Sequence, residues 1–108
     1  MKKQSAKKIV IVTEKIIADD VTQLIEHMGA SGFTTKSAGG KGSRGVRSNE
    51  RHSLNDANSN IQIDAIVKDA DLAEKIAMTV AEEFLSNYSG IVYIEDITIL
   101  RPEKFTKS

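Results

Sequence analysis

Apolar positions along this chain fall into six runs with two different periods. Lys8-Ile-Val-Ile-Val-Thr13 is a short continuous apolar run, the mark of a strand covered on both faces. Ile16, Ile17, Val21, Leu24, Ile25 and Met28 then recur at helical spacing, with Thr13 placed as N-cap and Gly29 or Gly32 as the stop. Phe33-Thr-Thr-Lys-Ser-Ala38 reads as a second strand, rich in β-formers. Ile61, Ile63, Ala65 and Val67 alternate with polar neighbours and give a half-buried third strand. The clearest helix follows, with Leu72, Ala73, Ile76, Ala77, Val80, Ala81, Phe84 and Leu85 in one stripe and Asp71 with Glu74 as a capping box. Gly90–Ile94 and Ile97–Leu100 form a fourth strand, long or interrupted.

The order β-α-β-loop-β-α-β predicts an α+β, ferredoxin-like βαββαβ fold: one antiparallel sheet with both helices on one face. The other sheet face should then meet water and be polar. Strands one and four are instead apolar on both faces, through Ile9 to Val12 and through Ile91, Val92 and Ile94. Burial of that second face between copies of the chain is the simplest resolution.

The stretch that belongs to neither period is Ala38 to Asn60. Between Gly39 and Arg47 it holds four glycines and three cations, Lys41, Arg44 and Arg47. Closely spaced glycines let a backbone turn its N–H groups inward as an anion cradle, and Ser43 adds a hydroxyl. Arg44 and Arg47 are spaced to reach one phosphate from a turn. The competing reading is a flexible hairpin loop with cations kept for solubility. Loops this long inside a compact domain are more often functional or disordered, and residues 49–60 are generic polar ones suited to a movable tip. Gly40-Lys-Gly-Ser-Arg-Gly45 fits G-x-G-x-x-G as a string, but no helix pattern follows it, so neither a dinucleotide fold nor a P-loop is expected.

Composition narrows the function classes. The chain has 108 residues, is 40% hydrophobic and 28% charged, and carries no net charge. That suits one soluble domain and disfavours a general nucleic-acid binder. The zero conceals a partition. Lys2, Lys3, Lys7 and Lys8 make a basic start, read as a frayed tail over residues 1–7. Between 36 and 51 five cations face only Glu50, and the rest of the chain is strongly acidic. There is no cysteine, hence no disulfide or thiolate chemistry, and a cytoplasmic setting is expected. His27 and His52 lack partners at metal-ligand spacing, and Ser43, Ser48 and Ser53 lack a base. The adjacent acidic pairs Glu82-Glu83 and Glu95-Asp96 read as solvated surface. An RNA-recognition sheet would need exposed aromatics on its central strands, and only Tyr93 qualifies.

Four segments together add a resemblance. Val10-Ile-Val-Thr-Glu-Lys15, Gly39-Gly-Lys-Gly-Ser-Arg44, Val46-Arg-Ser48 and Tyr88-Ser-Gly-Ile-Val-Tyr93 resemble, in order and over nearly the whole chain, the PII-like signalling proteins of the SbtB and carboxysome-associated type. The resemblance implies a single PII-like domain over 1–108 that assembles as a homotrimer. It implies a long T-loop over 39–60 and a C-terminal tail over 101–108. Adenine nucleotides would bind in the clefts between subunits. The stretch with Gly39, Gly40, Gly42 and Ser48 would be the nucleotide-contacting base of the loop, Lys41, Ser43, Arg44 and Arg47 would hold phosphates and ribose, and backbone groups around Gly90 and Ile91, near Tyr88, would hold the adenine.

The implied role is signalling, not catalysis. No metal or resident cofactor is expected; the effector would be ADP, AMP or cyclic AMP, with bicarbonate as a further small anion. Implied partners belong to inorganic-carbon acquisition, a bicarbonate transporter or a carboxysome component, which would bring the protein to the inner membrane or the carboxysome. Two departures stand out. The cysteine-bracketed C-terminal loop of SbtB-type proteins is missing from Arg101-Pro-Glu-Lys-Phe-Thr-Lys-Ser108. The glycine-lysine-rich loop that wraps a triphosphate in ordinary PII proteins is missing too, Asn87-Tyr-Ser-Gly90 being short and uncharged. Mono- and diphosphates are therefore expected in preference to ATP. A nucleotide hydrolase and a ligand-free trimeric adaptor remain the alternatives.

Overall fold

In the computed structural model the described residues are 1–38 and 59–101, together with the backbone of Lys41, Gly42, Gly45 and Val46. Strand β1 (Lys2–Glu14) leads through a 3-10 turn at Lys15–Ile17 into helix α1 (Ala18–His27) and strand β2 (Phe33–Ala38). Two short strands, β3 (Lys41–Gly42) and β4 (Gly45–Val46), pair with each other as a small hairpin. Strand β5 (Asn60–Val67), helix α2 (Ala70–Glu83) and strand β6 (Gly90–Arg101) complete the chain. The main sheet has the order β2-β5-β1-β6 with every neighbour antiparallel, the ferredoxin-like arrangement expected from the sequence.

Register explains which face is dry. Ile9 lies opposite Ala65 and Ile94, and Ile11 opposite Ile63 and Val92, so one face of three strands is aliphatic. Ile17, Val21 and Ile25 from the α1 side and Ala73, Ile76, Ala77 and Val80 of α2 complete a single buried cluster on that face. Ile9, Ile11, Ile25, Ile63 and Ile76 are wholly buried. Each contributes roughly 1.5–3 kcal/mol relative to exposure, so packing holds the helices on the sheet far more than their termini do.

Five expectations change. Thr13 does not cap α1: it is a strand residue, 1% exposed, and α1 begins behind the 3-10 turn with no side-chain cap. Asp19 and Asp20 in the first turn favour that helix end instead. The cap of α2 is Asp69, whose carboxylate accepts the Asp71 N–H at 2.9 Å, so the helix starts earlier than an Asp71–Glu74 box would place it. The basic start is no frayed tail: residues 2–6 belong to β1 and pair with Ile97–Arg101, and β6 is one uninterrupted strand. Asn60, counted in the loop, is the first residue of β5, and Arg101, counted in the tail, ends β6. Gly29 does end α1: its φ is +120°, a backbone conformation that disfavours any Cβ.

The helix-free face is mixed. Val10 and Val12 run down its centre, with Ile91, Tyr93 and Ile66 exposed around them. Across its middle Lys8 sits 3.8 Å from Glu95 and 4.0 Å from Asp64, and Gln62 Nε2 donates to Asp64 at 3.0 Å. Among the described residues no helix is long and apolar enough to cross a membrane.

Candidate functional site

Strand pairing gathers the loop and the β6 entry at one end of the sheet. Ala38 and Glu14 both lie opposite Asn60, and one residue inward Ser37, Ile61, Thr13 and Gly90 form a row across all four strands. The stems of the 39–58 segment therefore emerge beside Glu14, at the same end as Gly90. They do not emerge at the same edge. β2 and β6 are the two outer strands, three spacings or about 14 Å apart.

Of the sequence-predicted site residues, Gly39, Gly40, Ser43, Arg44, Arg47 and Ser48 lie outside the described residues. Lys41 and Gly42 are placed as backbone in the β3–β4 hairpin, Lys41 opposite Val46 and Gly42 opposite Gly45. Tyr88, Gly90 and Ile91 are described and cluster where α2 turns into β6. Tyr88 N–H donates to the Phe84 carbonyl at 3.0 Å, its ring is partly exposed, and Ile91 is 55% exposed on the helix-free face. Gly90 shares the helix-side row of Thr13 and Ile61, and Ile91 beside it turns to the helix-free face, so exposed apolar side chains stand next to exposed backbone at this turn.

That turn is held by residues to which the sequence reading gives no part in the site. The Thr13 hydroxyl donates to the Ser89 carbonyl at 2.8 Å. The Glu14 carboxylate accepts from the Ser89 N–H at 2.8 Å and from the Ser89 hydroxyl at 3.3 Å. Gly90 follows in closest approach to β1: a Cβ there would sit 2.4 Å from the Val12 carbonyl oxygen. On the other side the Lys15 N–H donates to the Ser59 carbonyl at 2.8 Å, tying the loop's return to the end of β1. Asn60 beside it is 9% exposed, and its buried Oδ1 has no hydrogen-bond partner among the described residues. The motif Thr13-Glu-Lys15 is visible in the sequence, but Ser89 carries no signal of its own.

A second feature also escapes the sequence. An open groove of about 830 Å³ lies at the opposite end of the sheet, across the helix-free face. Gly32, Phe33 and Thr34 at the start of β2 form one side, Ile66 with Ile97 and Ile99 the apolar part, and Lys8, Lys68 and Arg101 supply cations against Asp64. Its size and mixed lining are those of a small-molecule site. Among the described residues no group of three or more His, Cys, Asp or Glu side chains is placed to hold a metal ion.

The family model described as nitrogen regulatory protein P-II matches residues 6–104. A PII-like signalling protein from Thermus thermophilus is 30% identical, with a TM-score of 0.78, over 98% of this chain and 100% of that one. CPII, a nitrogen regulatory PII-like protein from Thiomonas intermedia solved with ADP, AMP and bicarbonate, is 26% identical with a TM-score of 0.75, covering 93% of this chain and 100% of its own. The same protein bound to ADP and bicarbonate aligns at 32% identity and a TM-score of 0.76, over 95% of this chain and 96% of that one.

Proposed function

The chain belongs to the nitrogen regulatory protein P-II family, and from that premise we propose that it is a sensor of adenine nucleotides that signals through the loop over residues 39–58. The observation that carries the reading is the division of the site. The glycine- and cation-rich segment 39–58 joins β2 to β5, while Tyr88, Gly90 and Ile91 lie at the far edge of the sheet at the same end. A ring of copies, with the β2 edge of one against the β6 edge of the next, brings the two halves together. That is the homotrimer implied by the resemblance, and it also covers the exposed Ile66, Ile91 and Tyr93.

In this arrangement Lys41, Ser43, Arg44 and Arg47 hold phosphate through charge-assisted bonds, and the backbone of Gly39, Gly40, Gly42 and Ser48 lines the cradle. The wall of Tyr88, Gly90 and Ile91 packs on the base. Bicarbonate, which is bound in CPII, is a second ligand of the same basic site. The effectors are ADP, AMP and cyclic AMP in preference to ATP, because Asn87–Gly90 supplies no cations for a third phosphate. Occupancy orders the loop base and changes what the tip presents to a partner in inorganic-carbon acquisition, a bicarbonate transporter or a carboxysome component.

The groove supports a second seat for the base. Purines need an apolar slot with edge polarity, and Ile66 beside Thr34 and Gly32 supplies one on the β2 side. Ile66→Ala and Ile91→Ala, each with its mass by light scattering equal to wild type, distinguish the two seats by which of them weakens binding.

The test is a thermal-shift panel of AMP, cyclic AMP, ADP and ATP with magnesium, each with and without bicarbonate, followed by calorimetry and product analysis. A ligand of the native state raises Tm by mass action. No shift with any adenylate would leave the ligand-free adaptor standing, and conversion of ADP or ATP to products would make the protein a hydrolase.

A further inference from the structure

We propose that Glu14 is a positioning residue that couples the nucleotide wall to the loop, an inference that rests on the nucleotide-sensing reading above. The last residues of β1 and the one after them touch both halves of the site in consecutive positions. Thr13 and Glu14 hold Ser89 at three points: its carbonyl, its N–H and its hydroxyl. The next residue, Lys15, holds the loop's return through Ser59. The Glu14–Lys15 peptide therefore joins the β6 entry to the loop stem directly, and a shift on one side is handed to the other.

Three physical features make this contact a coupler and not a static staple. The Glu14 bonds are charge-assisted on the acceptor side, so they are stronger than a neutral pair and set the position of the Ser89–Gly90 peptide. Gly90 packs against β1 with no room for a side chain, so a ligand pressing on that peptide cannot be absorbed by a local gap. On the loop side, Asn60 lies opposite Glu14 and carries a buried oxygen that finds no donor among the described residues. An unsatisfied buried acceptor raises the energy of the stem's present arrangement, so a small displacement of Glu14 can tip it toward another. Glu14 itself takes no part in holding phosphate; as an anion it would repel one.

The experiment compares wild type, Glu14→Ala and Glu14→Gln in the full chain. Calorimetry reads ADP affinity, and limited trypsin digestion at Arg44, Arg47 and Arg51 reads the loop with and without ADP. In the wild type, ADP changes the digestion rate by about fivefold or more, the lower end of ordinary coupling. Glu14→Ala costs less than about tenfold in affinity yet loses most of the rate change, because the wall remains while its link to the stem is gone. Glu14→Gln, whose amide oxygen can still accept from Ser89, restores the response. A full ADP response in Glu14→Ala overturns the proposal, as does loss of ADP binding in step with loss of response. If ADP fails to bind the wild type, the nucleotide reading falls, and hydrogen exchange on the ligand-free protein decides the coupling alone. Glu14→Ala must then speed exchange at both Ser89 and Lys15; faster exchange at Ser89 only overturns it.

Discussion

Replacing Gly90 with alanine adds a single methyl group at a very tight approach in the sheet. The new Cβ falls 2.4 Å from the Val12 carbonyl oxygen and 3.0 Å from both Cβ and Oγ1 of Thr13. These neighbours belong to parts that cannot swing aside, a backbone carbonyl and a buried, β-branched residue. Relief requires β6 to move away from β1 at its first residue. Overpacking of this kind costs about 1–3 kcal/mol. The movement also stretches the Thr13–Ser89 and Glu14–Ser89 bonds, worth about 1 kcal/mol more. A total near 2–4 kcal/mol corresponds to a fall in Tm of roughly 8–20 °C for a chain of this size. Gly32→Ala is the internal control, since nothing lies within 4 Å of a Cβ there; its Tm should stay within about 2 °C of wild type. Differential scanning calorimetry of both variants decides the matter. A Gly90→Ala protein as stable as Gly32→Ala would refute the claim that this glycine fixes the wall against β1.

Four further outcomes are expected. Arg44→Ala with Arg47→Ala should remove about 2 kcal/mol or more of nucleotide binding by calorimetry, since charge-assisted bonds are worth roughly 1.5–3 each. Asp69→Ala should lower stability by about 1 kcal/mol in urea unfolding through loss of the α2 cap, whereas Glu74→Gln should change it by less than about 0.5. Asp96→Asn breaks the pair between Lys7 and Asp96, but with the carboxylate 82% exposed it should move the urea midpoint hardly at all. Ile91→Lys should lower the mass measured by light scattering while leaving the far-ultraviolet circular dichroism unchanged, because Ile91 lies on the seam of the proposed ring and is exposed in the single chain.

Elements whose own residues carry a period are legible in advance. The alternation of Ile61, Ile63, Ala65 and Val67 becomes β5, and the stripe from Leu72 to Val80 becomes the buried face of α2. Lys2 to Ala6 carry no such pattern. They are a strand only because Ile97–Arg101, some ninety residues later, pairs with them, and lysines that look solvated in a list are tolerable on a two-stranded ribbon. Thr13 misleads for a related reason: a Thr before a helical pattern fits a cap, and only the pairing of Thr13 with Gly90 shows where its hydroxyl goes. For the site, composition singles out the glycine-cation loop and the resemblance supplies its ligand. The Ser89 clasp is illegible, since a serine between a tyrosine and a glycine has no meaning until register puts it beside Glu14.

The outer edge of β6 has a thermodynamic consequence. β6 is an outer strand twelve residues long, with β1 beside it in the sheet, and it borders a sheet face that carries exposed Ile91 and Tyr93. Such an edge is a template for unwanted pairing, and a ring of copies is its natural cover. In the proposed ring, association adds to the stability of a chain that already holds its own core, so Tm should rise with protein concentration, and a dilute sample should stay folded with a lower Tm.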